Sequence, residues 1–403
     1  MQFKKTLLPV VLVAEFAAIS IALPIMSAPY HIGGFWESIL AIIFFLLNLA
    51  ICYLSIKSPA EFIDNSAKNH KLLFLPVLVF AVYTCLQFSS STISLALADM
   101  LPIMEIMAQR LVDGEDPYAT IAIWDGMDPI YFPGYWLLYT PAVALNIDIR
   151  FINIIWFSGW LMALVHLFKP KGYKLFFAFV FLSSIFSWIA FNYRIFYTQL
   201  EELLLIGHYL FLVWALLKRK PLLLGLALAL CLLSRYYIIS WVPIYAAYLI
   251  WKKDGKYVLN TAFFTVIFSL IMMWISGAFS ALDYLFTVPG IYFSDISNPL
   301  NAEKYRGLLN DYLGFARFFV PSQIGLFKVL FGLGIFVGPL ALIYKFKDQD
   351  PVLLGLVSIK LVVAIFTSFL IGPYIYLFYI HPFLSLALWI YAKRETKIIM
   401  PWE

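Results

Sequence analysis

Long apolar runs are the feature that most constrains how this chain folds. Runs of about 18 to 22 apolar residues recur along the sequence, close to the length that an α-helix needs to cross the hydrocarbon core of a bilayer. Hydrophobic residues make up 63% of the 403 residues. The sequence therefore predicts an all-α polytopic integral membrane protein with no separate soluble domain.

The apolar runs predict a bundle of about 11–13 transmembrane helices. The candidate spans lie near residues 7–26, 36–56, 72–97, 133–146, 151–168, 174–192, 199–217, 221–237, 239–251, 257–276, 325–344, 351–371 and 374–392. The run at 7–26 is longer than a usual signal-peptide core, so we interpret it as a retained span. The run at 133–146 has the weakest support, because a full crossing needs about 20 residues. It is tilted, re-entrant or continuous with its neighbour.

Basic residues mark the side on which the connections lie. They fall between the apolar runs, at Lys4-Lys5, Lys57, Lys68, Lys71, Lys218-Arg219-Lys220, Lys252-Lys253, Lys256, Lys345, Lys347 and Lys393-Arg394. Cytoplasmic loops are enriched in Lys and Arg, which places the acidic segment 98–132 and the long connection 277–324 outside. Counting crossings from the two ends gives opposite sides for residues 218–220, so one span is miscounted. Bases spread over short loops exclude a nucleic-acid-binding face.

These features divide the chain into four parts. We predict two N-terminal transmembrane helices in 1–71 and a catalytic transmembrane module in 72–276, which includes the acidic segment. An external loop or lid follows in 277–324, and C-terminal transmembrane helices occupy 325–403. Loops as long as 277–324 are usually functional or disordered, and a surface excursion without substrate contact is the alternative to a lid.

The acidic segment concentrates charge in a chain where only 13% of residues are charged. Seven acids accompany a single base, Arg110, and they are Asp99, Glu105, Asp113, Glu115, Asp116, Asp125 and Asp128. Apolar residues spaced by three and four over 99–112 predict an amphipathic helix along the interface, ending at Gly114. Asp99 stands at its start, where a carboxylate is either a helix cap or a functional group.

Two ordered sets of motifs resemble one enzyme family. Asp99, Glu105, Gly114-Glu115-Asp116-Pro117-Tyr118 and Tyr131-Phe132-Pro133-Gly134-Tyr135 resemble the first external loop of the C superfamily of glycosyltransferases (GT-C), in the branch that uses polyprenyl-phosphate mannose. This chain has Pro-Gly where that branch has Pro-Pro, and Leu101 where a second acid would complete an Asp-x-Asp.

The second set lies downstream. Residues 192–202 resemble the family's Gly-Gln-x-Asp segment, with Gln199 retained, Thr198 in place of Gly and Glu201 in place of Asp. A basic loop, a helix containing Gly225, and Arg235 ahead of Pro243 follow in the family's order. The resemblance covers roughly residues 75–250 and implies a GT-C-like bundle with external interfacial helices.

The chemistry requires a base and cations at the membrane surface. Inverting transfer of a sugar from a lipid phosphate needs a carboxylate to accept the acceptor's hydroxyl proton, and cations against the departing phosphate. We expect Asp99 to be the base and Glu105 the alternative or a helper. An Arg within an apolar stretch is a functional-site hypothesis, which favours Arg235, although an Arg at a helix end also snorkels to the interface. The predicted donor-phosphate ligands are Arg235, Arg194 and Arg306, and the predicted substrate-binding residues are Asp116, Tyr118, Gln199, Glu201, Tyr236 and His381.

Several of these assignments have a structural alternative. For Arg194, a structural ion pair with Glu201 or Glu202 across one interfacial turn is as well supported as substrate contact. For His381 and His208, an ordinary core histidine is the alternative. No cofactor is expected and no metal is indicated, since the family's lipid-monophosphate donors generally require none, and the three cysteines lie within apolar runs.

The expected partners are a polyprenyl- or dolichyl-phosphate sugar, a glycan or lipid acceptor, and membrane lipids. The expected location is a plasma membrane, or the endoplasmic reticulum in a eukaryote. A transporter or lipid-linked-glycan flippase is the alternative function, although the inverted repeats typical of transporters are not apparent in the sequence.

Overall fold

The fold was analysed in a computed structural model. The structure describes residues 3–27, 34–57, 68–94, 100–122, 128–167, 173–192, 197–234, 236–283, 285, 287, 315–319, 321–369 and 376–392. Across these ranges the chain is helical, with no strand. The predicted all-α class is therefore confirmed for the described residues.

The helices run in the order that the apolar runs predict. The first half contains α1 (Phe3–Ser27), α2 (Gly34–Lys57), α3 (Phe74–Phe88, after a 3-10 turn at Lys68–Leu73), α4 (Met100–Asp113), α5 (Pro133–Trp136), a 3-10 turn (Leu137–Tyr139), α6 (Thr140–Ala144), α7 (Arg150–Leu167) and α8 (Tyr173–Asn192). The second half contains α9 (Glu202–Lys218), α10 (Pro221–Leu232), a 3-10 turn (Tyr236–Ser240), α11 (Trp241–Trp251), α12 (Gly255–Ile275), α13 (Ile324–Lys345), α14 (Pro351–Ser368) and α15 (Tyr376–Ala392).

Five stretches of the described chain are long and apolar enough to cross a membrane. They are Lys71–Phe88, Arg150–Leu167, Gly255–Ile275, Gly325–Lys345 and Pro351–Ser368. Burial differs sharply among them: 94% of α14 is enclosed by the protein, against 11% of α12. Helix α14 is therefore buried within the helix bundle, while α12 presents its apolar side chains outward, as a helix facing lipid does. These five helices support the assignment to the helical membrane proteins.

One end of the bundle collects the basic loops. The ammonium groups of Lys57 and Lys345 lie 5.7 and 5.6 Å from the centre of the Phe346 ring. Lys347 lies 5.5 Å from the Trp251 ring, and Arg219 pairs with Asp254 at 2.5 Å. These contacts join the loops that follow α2, α9, α11 and α13. We call this the basic end.

The opposite end carries the acidic segment, and we call it the acidic end. There the guanidinium of Arg150, at the start of α7, donates to the carbonyl of Ser91 at 2.8 Å, just beyond the end of α3. Within the described part of the predicted span 72–97, the helix ends at Phe88, and residues 91–94 have no regular secondary structure.

The predicted crossing at 133–146 is replaced by three short pieces of four, three and five residues, α5, a 3-10 turn and α6. This re-entrant segment, 133–144, packs along α4. Its first part is held by the amide of Gly134, which donates to the carbonyl of Leu233 at 2.7 Å. Since Arg150 beyond its last part also contacts the acidic end, the segment starts and finishes at the same end of the bundle.

Candidate functional site

Helix α4 is amphipathic, as its spacing predicts. Leu101, Met104, Met107 and Ala108 are fully buried against the re-entrant segment, whereas Glu105 lies on the exposed side. Gly114 ends the helix in the left-handed region at φ 76°, which glycine adopts without steric cost. The predicted helix 99–112 is observed at Met100–Asp113. Asp99, the predicted base, lies outside the described residues.

The turn after α4 is tied together by its own side chains. The carboxylate of Asp116 accepts from the amide of Tyr118 at 2.9 Å, and the Tyr118 hydroxyl donates to the carbonyl of Tyr131 at 3.1 Å. Tyr118 is buried with its ring edge against Trp136, and burial raises the pKa of its phenol, so the hydroxyl stays a neutral donor. These two predicted substrate-binding residues hold the segment in shape.

Arg150 joins α7 to the end of α3. It is 3% exposed, and its guanidinium contacts both oxygens of Asp148, with Nε 2.9 Å from each. It also donates to the carbonyl and hydroxyl of Ser91 at 2.8 and 3.0 Å. The guanidinium lies 4.6 Å from the centre of the Phe88 ring. Such a forked, fully engaged Arg fixes the geometry of the backbone around it.

Gln199 holds the same stretch of backbone from the other side. Its amide oxygen accepts from the N–H of Ser94 at 2.9 Å, and its amide nitrogen donates to the carbonyl of Thr92 at 2.8 Å. The side chain is 2% exposed. Together Arg150 and Gln199 form a clamp on residues 88–94, the stretch that leads toward Asp99.

Two buried acids follow Gln199 in the chain, at the start of α9. Glu201 and Glu202 are 0% and 4% exposed. Burial, and then the negative charges of these acids, raise the pKa of Tyr139, so the phenol lies near both carboxylates. The Tyr139 hydroxyl donates to Asn153 at 2.6 Å. This hydrogen bond joins the re-entrant segment to α7 at the acidic end.

Glu105 combines solvent access with a perturbed carboxyl. Partial burial raises its pKa above the ordinary glutamate value; the charge of Asp148 acts in the same direction, and the charge of Arg150 opposes both. A carboxylate with a raised pKa is a better proton acceptor than an ordinary one. Of the predicted catalytic pair, Glu105 is the described member, and the structure brings it near Asp148 and Arg150.

His208 is a satisfied core histidine. Its Nδ1 accepts from the Trp156 indole at 2.9 Å, which leaves Nε2–H to donate to the carbonyl of Gly134 at 2.9 Å. The ring therefore links α9 to the re-entrant segment in its neutral form.

His381 belongs to a different cluster, midway along the bundle. The ammonium of Lys360 on α14 contacts Glu15 of α1 at 2.5 Å, His381 Nδ1 at 2.7 Å and the His381 carbonyl at 3.2 Å. The Ser385 hydroxyl donates to the second oxygen of Glu15 at 2.5 Å. All three ionisable side chains are at most 1% exposed. The structure thus separates His381 from the residues of the acidic end.

Three predicted phosphate ligands, one substrate-binding residue and the predicted lid remain. Arg194, Arg235 and Arg306 lie outside the described residues, as does most of the predicted lid 277–324. Tyr236 begins the 3-10 turn Tyr236–Ser240. Among the described residues, no group of three or more His, Cys, Asp or Glu side chains is arranged to hold a metal ion.

Sequence reasoning missed Arg150, Asp148, Glu15 and Lys360. A signal was present for Glu15 and Lys360, because ionisable residues inside apolar runs mark functional or structural polar sites.

Comparison with known proteins adds no relative: no family model, curated protein or solved structure matches this chain. The geometry therefore carries the functional argument alone.

Proposed function

We propose that this protein is a multi-pass membrane glycosyltransferase with a GT-C-like bundle of about 11–13 transmembrane helices. It transfers a hexose, in the first instance mannose, from a polyprenyl or dolichyl phosphate to an acceptor hydroxyl with inversion. The observation that carries the proposal is the surroundings of Glu105: an accessible carboxyl with a raised pKa on an amphipathic helix, close to Asp148 and Arg150.

The proposed chemistry is general base catalysis at the membrane surface. Either Asp99 or Glu105 accepts the proton of the acceptor hydroxyl as its oxygen attacks the anomeric carbon, and the lipid phosphate departs. Asp99 is our first choice. It is bracketed in sequence by the clamped residues 88–94 and by α4, and such fixed flanks suit a group that must meet its substrate in one geometry.

Cations are needed to balance the departing phosphate. We assign this role to Arg235, with Arg194 and Arg306 as further ligands. Leu233, which precedes Arg235 closely, contacts Gly134 at the acidic end, and this supports a phosphate site there. Of the predicted substrate-binding residues, Glu201 and Tyr236 keep that proposed role. Asp116, Tyr118 and Gln199 are assigned to shaping the site.

The proposed orientation places the basic end in the cytoplasm and the acidic end outside. Clusters of Lys at one end of the bundle follow the positive-inside rule. The proposed donor and acceptor are therefore bound on the external face, in a plasma membrane or in an endoplasmic reticulum.

The test is sugar transfer from radiolabelled polyprenyl-phosphate mannose into lipid and polymer fractions, measured across pH with membranes that carry matched amounts of protein. We expect Asp99→Asn to lose about 100-fold or more of the rate, as removal of a general base does. If Glu105 is the base, Glu105→Gln shows that loss instead. In that case native transfer falls as pH decreases through a range above the ordinary glutamate pKa, since the raised pKa protonates the carboxylate there.

Glu115→Gln is the matched control, because Glu115 is an exposed acid of the same segment. It should transfer at the native rate. If the native chain transfers sugar and both Asp99→Asn and Glu105→Gln keep that rate, the glycosyltransferase activity stands. The assignment of the general base to either residue is then refuted. No transfer from any of several lipid-phosphate sugars would overturn the proposal.

A transporter or lipid-linked-glycan flippase is the second candidate, and one observation favours it. The Glu15–Lys360–His381 cluster lies inside helices at mid-length, where transporters often carry coupling residues.

A further inference from the structure

An apolar groove runs along the outside of α2 and α13. It encloses about 500 Å³, is open on one side, and is floored by Leu361 and Ile365 of the buried helix α14. Gly334 and Gly338 of α13 face this floor, where added β-carbons would come within 3.3 and 2.9 Å of Ile365. The groove depends on these small residues.

The part of the groove that α2 and α13 line matches one leaflet of a bilayer in length. Its lining extends from Phe45 to Ile56 on α2 and from Gly334 to Lys345 on α13. Each stretch is about 16 Å of helix at 1.5 Å per residue. Half of the hydrocarbon core of a bilayer is about 15 Å.

The two ends of the groove differ in chemistry. At one end Phe45, Phe315 and Phe369 meet edge to face, with ring centres 5.6 and 5.2 Å apart. At the basic end, Lys57 and Lys345 approach the single ring of Phe346. Aromatic rings therefore close the groove at one end, and two lysines that contact one ring flank it at the basic end.

Charge near the cationic end is only partly balanced. Asp350 is engaged at the start of α14, where it accepts from the amides of Val352 and Leu353 at 2.7 and 3.3 Å. Asp348 is exposed in the same turn as Lys345 and Lys347. Two lysines at one ring beside an apolar groove, at a membrane interface, form the kind of site that recognises an anionic headgroup.

We propose that this groove binds one anionic phospholipid of the leaflet at the basic end. One acyl chain lies between α2 and α13, and the phosphate contacts both Lys57 and Lys345. Tyr53 lines the groove one helical turn before Lys57 and is 51% exposed, so it borders the headgroup as interfacial tyrosines do. The site is independent of the proposed sugar transfer.

The experiment uses the full chain, delipidated in detergent, and compares phosphatidylglycerol with phosphatidylcholine of identical acyl chains. Bound lipid is counted by native mass spectrometry over a lipid titration. We expect phosphatidylglycerol to bind roughly 10- to 30-fold more tightly, given about 1 kcal/mol for each lysine near an anionic headgroup.

Two variants and one control separate the contributions. Lys57→Gln combined with Lys345→Gln should abolish the preference for phosphatidylglycerol. Ala341→Trp, which fills the groove from an exposed position, should weaken both lipids. Lys218→Gln combined with Lys220→Gln removes two exposed lysines from another loop of the basic end and should leave the preference intact.

Three results of this comparison would overturn the proposal, and a fourth concerns another lipid. They are equal binding of the two lipids by the native chain, an unchanged preference in the Lys57 and Lys345 double variant, and an equal loss in the control pair. Saturable binding of a polyprenyl phosphate with none of phosphatidylglycerol would likewise refute the phospholipid as occupant.

Discussion

Glu15 and Lys360 are opposite charges within helices that are otherwise apolar, and their hydrogen bonds define the state of His381 between them. The Thr367 hydroxyl donates to the carbonyl of Val363 at 2.7 Å, so its oxygen is left to accept from His381 Nε2 at 3.0 Å. Nδ1 then accepts from Lys360, and the imidazole is neutral. The three donors of Lys360 and both oxygens of Glu15 are engaged. This cluster fixes α1 against α14 and α15.

Removing one charge from this cluster should destabilise the protein far more than removing both. Glu15→Gln or Lys360→Met leaves the other charge buried, which costs about 3–5 kcal/mol. The double variant Glu15→Gln/Lys360→Met removes both charges and should recover most of that loss. Chemical unfolding in detergent micelles measures each value, with Lys218→Met as an exposed-lysine control. Single variants as stable as the control would refute a buried ion pair.

The re-entrant segment depends on a close approach at Gly134. Its amide donates to the carbonyl of Leu233 at the end of α10, and its own carbonyl accepts from His208. A β-carbon at this position would lie 2.5 Å from the Leu233 oxygen. A proline at position 134 could not make the first of these contacts, because proline lacks the N–H that the Leu233 carbonyl accepts.

Gly134→Ala should therefore lower the unfolding free energy by about 1–3 kcal/mol, the usual cost of overpacking. Gly159→Ala is the matched control, since nothing lies within 4 Å of an added β-carbon in that helix. It should be neutral or slightly stabilising, as alanine favours helix. Thermal unfolding of the purified proteins makes the comparison. Equal unfolding temperatures for the two variants would contradict the close contact.

At this scale the sequence predicts what is local. The spacing of Leu101, Met104 and Met107 was enough to define α4 to within a residue, because one buried face leaves a period in the sequence. The clamp could not be predicted from local sequence patterns, since Arg150 and Ser91 are 59 residues apart and Gln199 and Ser94 are 105 apart. The re-entrant path of 133–144 is decided by contacts with α10 and α4, which no local pattern records.

At the scale of the whole molecule, the re-entrant segment resolves the conflict in the count of crossings. Three helices precede the acidic segment among the described residues, α1 to α3, and nine follow the re-entrant segment, α7 to α15. With 133–144 starting and finishing at the acidic end, counting forward from Lys4-Lys5 and backward from Lys393-Arg394 puts residues 218–220 on the same side. Under the proposed orientation, this count places Lys4-Lys5 and Lys393-Arg394 on the cytoplasmic side.

Cysteine labelling from one side of the membrane tests this topology. In intact cells, a maleimide that does not cross membranes should label Glu115→Cys and Leu145→Cys, because both lie at the acidic end; Leu145 is 68% exposed. Lys220→Cys should react only after permeabilisation. The native protein is the control, since Cys52 and Cys231 are buried and Cys85 lies within α3. If 133–144 crossed the membrane, Glu115→Cys and Leu145→Cys would react from opposite sides. The total number of crossings between Lys4-Lys5 and Lys393-Arg394 would then be even only if the number of other crossings were odd. If both cysteine variants are labelled from outside, 133–144 does not cross. The number of crossings then stays even, as it must when Lys4-Lys5 and Lys393-Arg394 lie on the same side.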